Sequence, residues 1–176
     1  GFTNLGIDLI YGLLDQDAAA WRRTLDAALE LAPDHVSCYG LTIEPGTPFA
    51  DAVRHGRIAL PDEDRVADLF LLADEVLTAA GFEHYEVSNY AQPGRRSRHN
   101  TGYWVGTPYV GLGPAAHSFD GTSRKWNAPT LDAWLAGLAQ APASGAGSER
   151  PTPEQRTLES LALGLRTSDG IDVALL

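Results

Sequence analysis

The chain has 176 residues, of which 44% are hydrophobic and 20% charged, enough for one ordinary domain with a sizeable core. Its formal net charge of −10 argues against non-specific nucleic-acid binding, which requires a positive surface. A single cysteine, Cys38, excludes an internal disulfide and a multi-cysteine metal site. No apolar run approaches the roughly 18 residues that span a bilayer, so we expect no transmembrane segment. The single cysteine favours a reducing cytoplasm as the compartment.

Strand and helix patterns alternate along the first half of the chain. Residues 5–12 form a near-continuous apolar run, which predicts a strand covered on both faces. A helix with Trp21 on its apolar face follows, and residues 35–43 predict a second strand.

A second helix is predicted from residue 61, where a proline and three acidic residues favour a helix start, to Gly81, which suits its end. Residues 84–90 then predict a third strand. The order β-α-β-α-β predicts parallel strands with right-handed connections, whose functional residues gather at the C-terminal strand ends.

The second half of the chain has a different pattern. Residues 91–129 are rich in glycine, proline and aromatic residues, with short strand-like pieces. A short helix is predicted at 131–138. Residues 141–152 have the composition of a mobile linker, and a final helix is predicted at 153–165.

Acidic residues at the predicted strands are candidates for a ligand site. Asp8 lies inside the first apolar strand, where a carboxylate is costly unless it is paired or hydrogen-bonded. It either accepts hydrogen bonds from a ribose or an amine, or it serves a loop or a structural arginine. Glu44 and Glu86 could converge with Asp8 on a divalent metal, although such residues more often serve loops.

The segment around His99 combines several groups that bind ligands. A neutral imidazole is a good ligand for haem iron or zinc, and Tyr103 and Trp104 could stack on a planar ligand. Three arginines that precede or flank it could hold propionates or phosphates: Arg95, Arg96 and Arg98. The alternative is a loop histidine anchored to backbone, with Trp104 in the core.

A second histidine, His117, follows a glycine-rich stretch at 111–113. The glycines either let the backbone approach a ligand closely or form a tight turn. Without any family likeness, a TIM-like metal-dependent hydrolase would be conceivable, and its metal would be held by Asp8, Glu86, His99 and His117.

Five stretches of the sequence together resemble one family. They are NLGIDLIYGL at 4–13, LTIEPGT at 41–47, HYEVSNYA at 84–91, SRHNTGYW at 97–104 and GLGPAAH at 111–117. In this order they resemble the oxygen-independent coproporphyrinogen III oxidase-like radical SAM family. The His-Asn-x-x-Tyr-Trp pattern is similar to that of the haem-chaperone branch.

The resemblance implies an α/β fold, the second half of a partial (βα)6 TIM-like radical SAM barrel with a short β-rich extension. It divides the chain into barrel and extension at 1–140, a linker at 141–152, and the start of a truncated C-terminal helical domain at 153–176. The implied cofactors are S-adenosyl-L-methionine and a [4Fe-4S] cluster.

The resemblance also implies binding residues and partners. Asp8 matches a strand aspartate that contacts S-adenosylmethionine, and His99 matches a histidine linked to haem binding. Tyr103 and Trp104 are expected as further haem contacts. The expected partners are haem or a porphyrin and haem-acceptor proteins, without nucleic acid.

The chain also departs from the family pattern. The C-x-x-x-C-x-x-C motif that holds the cluster is absent, Leu14 and Asp17 replace the usual proline and threonine, and no Met is present. We therefore expect a piece of a longer protein, with the cluster ligands outside this chain. Such a piece should not cleave S-adenosylmethionine alone, and whether the intact protein is an enzyme stays open.

Two functions are compatible with the resemblance. One is a haem chaperone, which binds haem and transfers it to acceptor proteins. The other is an anaerobic oxidase that decarboxylates coproporphyrinogen III in porphyrin biosynthesis. The His-Asn-x-x-Tyr-Trp pattern at 99–104 favours the chaperone.

Overall fold

The computed structural model describes residues 2–140 and 146–173. The chain forms two compact units that divide after Ser97, residues 1–97 and 98–176, here called the first and second units. No helix in the described ranges is long and apolar enough to cross a membrane.

A four-stranded mixed sheet forms the centre of the first unit. Its strands are β1 (Gly6–Tyr11), β2 (His35–Gly40), β3 (Glu83–Glu86) and β4 (Asn89–Ala91), in the spatial order β1-β2-β4-β3. β1 runs parallel to β2, whereas β4 is antiparallel to both of its neighbours.

Three helices of the first unit begin at side chains that accept a hydrogen bond from the first turn. They are α1 (Ala18–Glu30), α2 (Pro48–Arg54) and α3 (Glu63–Ala79). Asp17 accepts from the Ala20 amide, Thr47 from Ala50 and Asp62 from Arg65. Such caps satisfy amides that the helix itself cannot pair. The helix α2 was not predicted, although Thr47 followed by a proline is a helix-start signal.

α1 and α3 cover one face of the sheet. Trp21 is completely buried, and its indole Nε1–H donates to the Leu69 carbonyl over 2.9 Å. The sheet contributes alternate residues to this core: Tyr11, Val36, Cys38 and Tyr90. Because side chains alternate along a strand, the intervening residues, Asp8 among them, lie on the opposite face.

The predicted third strand at 84–90 is wrong as a single strand. The chain turns at Val87 and Ser88, and β4 returns between β2 and β3. The Ser88 carbonyl accepts a 2.7 Å hydrogen bond from the Cys38 amide, which ties the turn to β2. Of the two turn residues only Ser88 is of a type that favours turns, and a single serine inside an apolar–polar strand pattern is a weak turn signal. The predicted parallel pairing holds for β1 and β2.

The described residues of the second unit form three helices and a small sheet. Its helices are α4 (Arg98–Trp104), α5 (Leu131–Gln140) and α6 (Pro153–Gly164), and its strands are β5 (His117–Phe119), β6 (Arg124–Trp126) and β7 (Gly147–Glu149). The strands pair antiparallel in the order β5-β6-β7. The predicted helices at 131–138 and 153–165 correspond to α5 and α6, whereas α4 lies where only strand-like pieces were expected.

The predicted linker at 141–152 is partly outside the described residues, since 141–145 are not described. From residue 146 onward it differs from the prediction, because Gly147–Glu149 forms β7 and pairs with β6. Thr152 then caps α6, where its hydroxyl and the Gln155 side chain each accept a hydrogen bond from the other residue's amide.

Candidate functional site

A row of polar residues crosses the sheet of the first unit on the face opposite α1 and α3. The strand register places Asp8 beside Ser37, Ser37 beside Asn89, and Asn89 beside Glu86. Asp8 is exposed, whereas the other three side chains are buried. No hydrogen bond or ion pair from the described residues engages the Asp8 carboxylate, so its oxygens are available to a hydrogen-bond donor.

His35 and Tyr85 form a hydrogen-bonded pair on the same face. The His35 Nε2 lies 2.8 Å from the Tyr85 hydroxyl, which also accepts from the Ser97 amide over 3.3 Å. Burial lowers the pKa of His35, and the charge of Asp8 opposes that shift. Burial likewise raises the pKa of Tyr85. At neutral pH both groups are therefore uncharged.

The acidic residues considered for a shared metal do not form one. Glu86 accepts a hydrogen bond from the Asn89 amide nitrogen. Glu44 is exposed, and its carbonyl accepts from the Thr47 hydroxyl in a turn. Within the described ranges, no group of three or more histidine, cysteine or acidic side chains could hold a metal ion. A metal-dependent hydrolase built on Asp8, Glu86, His99 and His117 gains no support from this arrangement.

Cys38 is a core residue. Its side chain is 2% exposed and packs in the cluster under α1 and α3. Burial raises the pKa of its thiol to about 12, so the thiolate that binds iron is disfavoured. Cys38 therefore does not fit an iron–sulfur cluster.

In the second unit, α4 places His99 and Tyr103 on one face, because residues four apart on a helix are neighbours. Their ring centroids are 4.9 Å apart and the rings meet edge to face. His99 is exposed, and neither ring nitrogen has a hydrogen-bond partner among residues 2–140 and 146–173. The imidazole can therefore offer a nitrogen lone pair to a ligand.

The edge-to-face contact continues into a row of four rings. The Tyr103 ring meets the Tyr109 ring edge to face at 4.8 Å, and Tyr109 lies 6.4 Å from Phe119 on β5. We call His99, Tyr103, Tyr109 and Phe119 the ring row. Sequence reasoning missed Tyr109 and Phe119, since the chain reversal at Gly106, with its positive φ of 68°, brings Tyr109 back to α4.

The other candidates of this segment have different surroundings. Trp104 is half-buried on α4. His117 is exposed and lies 5.9 Å from the Trp126 ring across the β5–β6 pair, outside the ring row.

The three arginines also differ from one another. Arg95 pairs with Asp34 at 3.4 Å, and Arg96 pairs with Glu83 at 3.2 Å, both within the first unit. Arg98 is exposed and has no acidic partner in the described part of the chain. Of the three, Arg98 is therefore the cation that is available to an anionic ligand.

Curated proteins are similar to this chain over nearly its whole length. The haem chaperone HemW of Synechocystis sp. is 43% identical over 98% of the chain. The haem chaperone HemW of Mycobacterium tuberculosis is 41% identical over 100% of it. A mitochondrial radical S-adenosyl methionine domain-containing protein 1 of Bos taurus is 38% identical over 95%. The chain spans 42%, 45% and 40% of these relatives, less than half of their length.

The fold is also found among solved structures. Coproporphyrinogen III oxidase (HemN) from Escherichia coli, described as a radical SAM enzyme, matches with a TM-score of 0.77 over 95% of this chain and 41% of that one. At 21% identity this likeness shows the fold alone, and it confirms the predicted part of a radical SAM barrel. No family model matches the chain. By its relatives, the chain belongs to the oxygen-independent coproporphyrinogen III oxidase-like radical SAM family, in the haem-chaperone branch.

Proposed function

We propose that this protein is a haem chaperone, which binds haem and transfers it to acceptor proteins. The observation that carries the proposal is the exposed imidazole of His99, held against the Tyr103 ring with both nitrogens free of partners in the described residues. The relatives that are named haem chaperones support it, because they are similar across the segment that contains His99.

Each group near His99 has a role that follows from its chemistry. The His99 nitrogen binds the haem iron, as a neutral imidazole does in many haem proteins. Tyr103 is 41% exposed. Its ring contacts the apolar macrocycle of haem, as does the Trp104 ring. Arg98, which lacks an acidic partner in the described segments, pairs with a haem propionate.

Asp8 is proposed as a contact for S-adenosyl-L-methionine. Its exposed carboxylate has no protein hydrogen bond in the described segments, so it fits the ribose hydroxyls or the amine of that molecule. In radical SAM proteins this molecule and a [4Fe-4S] cluster together supply radical chemistry. The buried Cys38 does not fit the cluster, whose ligands would come from outside this chain.

The acceptors of haem are proteins, and transfer takes place in the cytoplasm. The formal net charge of −10 disfavours nucleic acid as a partner.

The test is a haem titration of the full-length protein and its His99→Ala variant. We expect a fall in ferric-haem affinity of about tenfold or more and a shifted Soret band, because the iron loses its imidazole ligand. His117→Ala is the matched control, since it removes an exposed histidine that also lies against an aromatic ring. Unchanged affinity and spectrum in His99→Ala would remove His99 from the ligand set.

A further inference from the structure

We infer that Tyr109 is a positioning residue for the haem-binding imidazole: it holds Tyr103, and Tyr103 holds His99. The inference rests on the proposed function and extends it to a residue outside the His-Asn-x-x-Tyr-Trp pattern. Two consecutive edge-to-face contacts carry it, with ring centroids 4.9 Å apart for His99 and Tyr103 and 4.8 Å apart for Tyr103 and Tyr109.

Tyr109 is suited to this role because its backbone is fixed. Its amide donates to the Phe119 carbonyl over 2.8 Å, and the Phe119 amide donates back to the Tyr109 carbonyl over 2.9 Å. These two bonds form an antiparallel bridge to the last residue of β5, which itself pairs with β6. The segment that follows Tyr109 is also fixed to β5, because the Gly111 amide donates a hydrogen bond of 2.9 Å to the Ser118 hydroxyl.

The helix that carries His99 is less constrained by itself. α4 has seven residues and no buried side chain, and helices this short are marginal without tertiary contacts. Backbone bonds from Gly106 to the Tyr103 carbonyl and from Thr107 to the Gly102 carbonyl reverse the chain at the end of α4. This reversal brings the Tyr109 ring against Tyr103, so that α4 is held from its own C-terminal side.

Contact with Tyr103 affects haem binding because the imidazole of an exposed histidine otherwise rotates about χ2. The χ2 angle of histidine has a broad distribution, so an unsupported imidazole samples many orientations. Binding iron would then fix that angle at an entropic cost, whereas an imidazole already packed against Tyr103 loses less. A supported ring should bind haem more tightly and in one orientation.

The contacts are between rings and do not use the hydroxyl groups. Neither the Tyr103 nor the Tyr109 hydroxyl has a hydrogen-bond partner in the described part of the chain. Replacing Tyr109 by phenylalanine therefore preserves the contact, whereas leucine removes it. The free energy of one aromatic pair corresponds to a change of about two- to tenfold in affinity, so we expect a loss of that size when the Tyr109 ring is removed.

The experiment compares variants of the full-length protein by ferric-haem affinity, haem dissociation rate and the electron paramagnetic resonance spectrum of the complex. We expect Tyr109→Leu to lose about two- to tenfold in affinity and to broaden the spectrum, because the imidazole takes several orientations. Tyr109→Phe should match the unmodified protein. His117→Ala, which removes an exposed side chain of β5 outside the ring row, should also match it.

Two further variants separate positioning from folding and from the proposed function. Tyr109→Met fills the space with a flexible apolar chain, and it replaces the leucine variant should that variant unfold by circular dichroism. In a His99→Ala background, the loss of the Tyr109 ring should have no further effect on haem binding. If His99→Ala weakens binding but both ring-deleting variants bind and dissociate haem normally, the inference is wrong and the proposed function stands. If His99→Ala itself has no effect, His99 is not a haem ligand, and the inference is overturned together with the role that the proposed function gives to His99.

Discussion

At the scale of residues, surroundings separate histidines that look equivalent in the sequence. His99 is exposed, and its ring lies edge to face against the Tyr103 ring. His35 is half-buried and bonded to Tyr85, and His84 lies 2.8 Å from the Asp74 carboxylate and stacks on Tyr90. Of these three histidines, His99 is the one with an exposed ring and with ring nitrogens that have no partner in the described residues.

The pKa of His35 should report on the charge of Asp8. Burial lowers this pKa below 6.5, and the negative charge of Asp8 raises it in part. Asp8→Asn should therefore lower the pKa of His35 further, as measured by NMR titration of the ring. Asp26→Asn, at an exposed ion pair on α1, should leave it unchanged. A His35 pKa that rises in Asp8→Asn would show that the two groups do not interact as described.

At the scale of elements, the residues that cap helices predicted the structure better than the residue patterns that indicate strands. The helix starts at Asp17, Asp62 and Thr152 were recognisable because capping depends on a side chain and the amide three residues later. The β3–β4 hairpin was not recognisable, because the pairing of the Ser88 carbonyl with Cys38 is a contact across 50 residues of sequence.

The cap of α3 gives a prediction at this scale. The Asp62 carboxylate accepts from the Arg65 amide over 2.7 Å. Asp62→Ala should lower the free energy of unfolding by about 1 kcal/mol, measured by urea denaturation. Asp64→Ala removes an equally exposed acid in the same first turn without removing the cap, so it should cost only a few tenths of that. Equal losses in both variants would contradict a capping role.

At the scale of the whole molecule, the sequence predicted the fold class and family, but the arrangement of the second unit required the structure. One guanidinium, that of Arg124, joins three of its segments. It makes two bonds to Glu159 on α6, at 2.8 and 2.6 Å, and one of 3.2 Å to Glu149 on β7. These partners are 25 and 35 residues away in sequence, where no local pattern reaches.

The Arg124 pairs should make the second unit sensitive to acid. Hydrogen bonds from Arg124 hold the pKa of Glu159 below 4.5, so its stabilisation is present above that pH and is lost as pH falls through the lowered pKa. Glu159→Gln should lower the free energy of unfolding by about 1 kcal/mol at neutral pH, after allowance for solvent screening.

The matched variant for this prediction is Glu149→Gln, which breaks the single longer bond and should cost less. Thermal unfolding of the unmodified protein and both variants at pH 7 and pH 3 measures the effect. A difference between Glu159→Gln and the unmodified protein that persists unchanged at pH 3 would argue against a charged pair.

The residue types of the candidate site could be proposed from the sequence, whereas the contacts between them could not. Asp8 and His99 were singled out as candidates from their position in strand and motif, whereas the contact between the Tyr103 and Tyr109 rings depends on a chain reversal and a strand bridge. The residue types of a ligand set are local information. The contacts that orient them are formed between segments, and a single sequence does not encode them in any periodic pattern.

The antiparallel return of β4 decides where the sheet of the first unit can grow. Repeating β-α units enlarge a sheet by adding a parallel strand, and here the flank of β2 that would receive one is filled by β4 running the other way. The edge strand on the other side of the sheet is β3, which has four residues and a bulge, and both features disfavour pairing with a further strand. The outer edge of β1, a strand of six residues, is thus the edge that remains. Any additional strand that extends this sheet pairs with this edge of β1, beside Asp8.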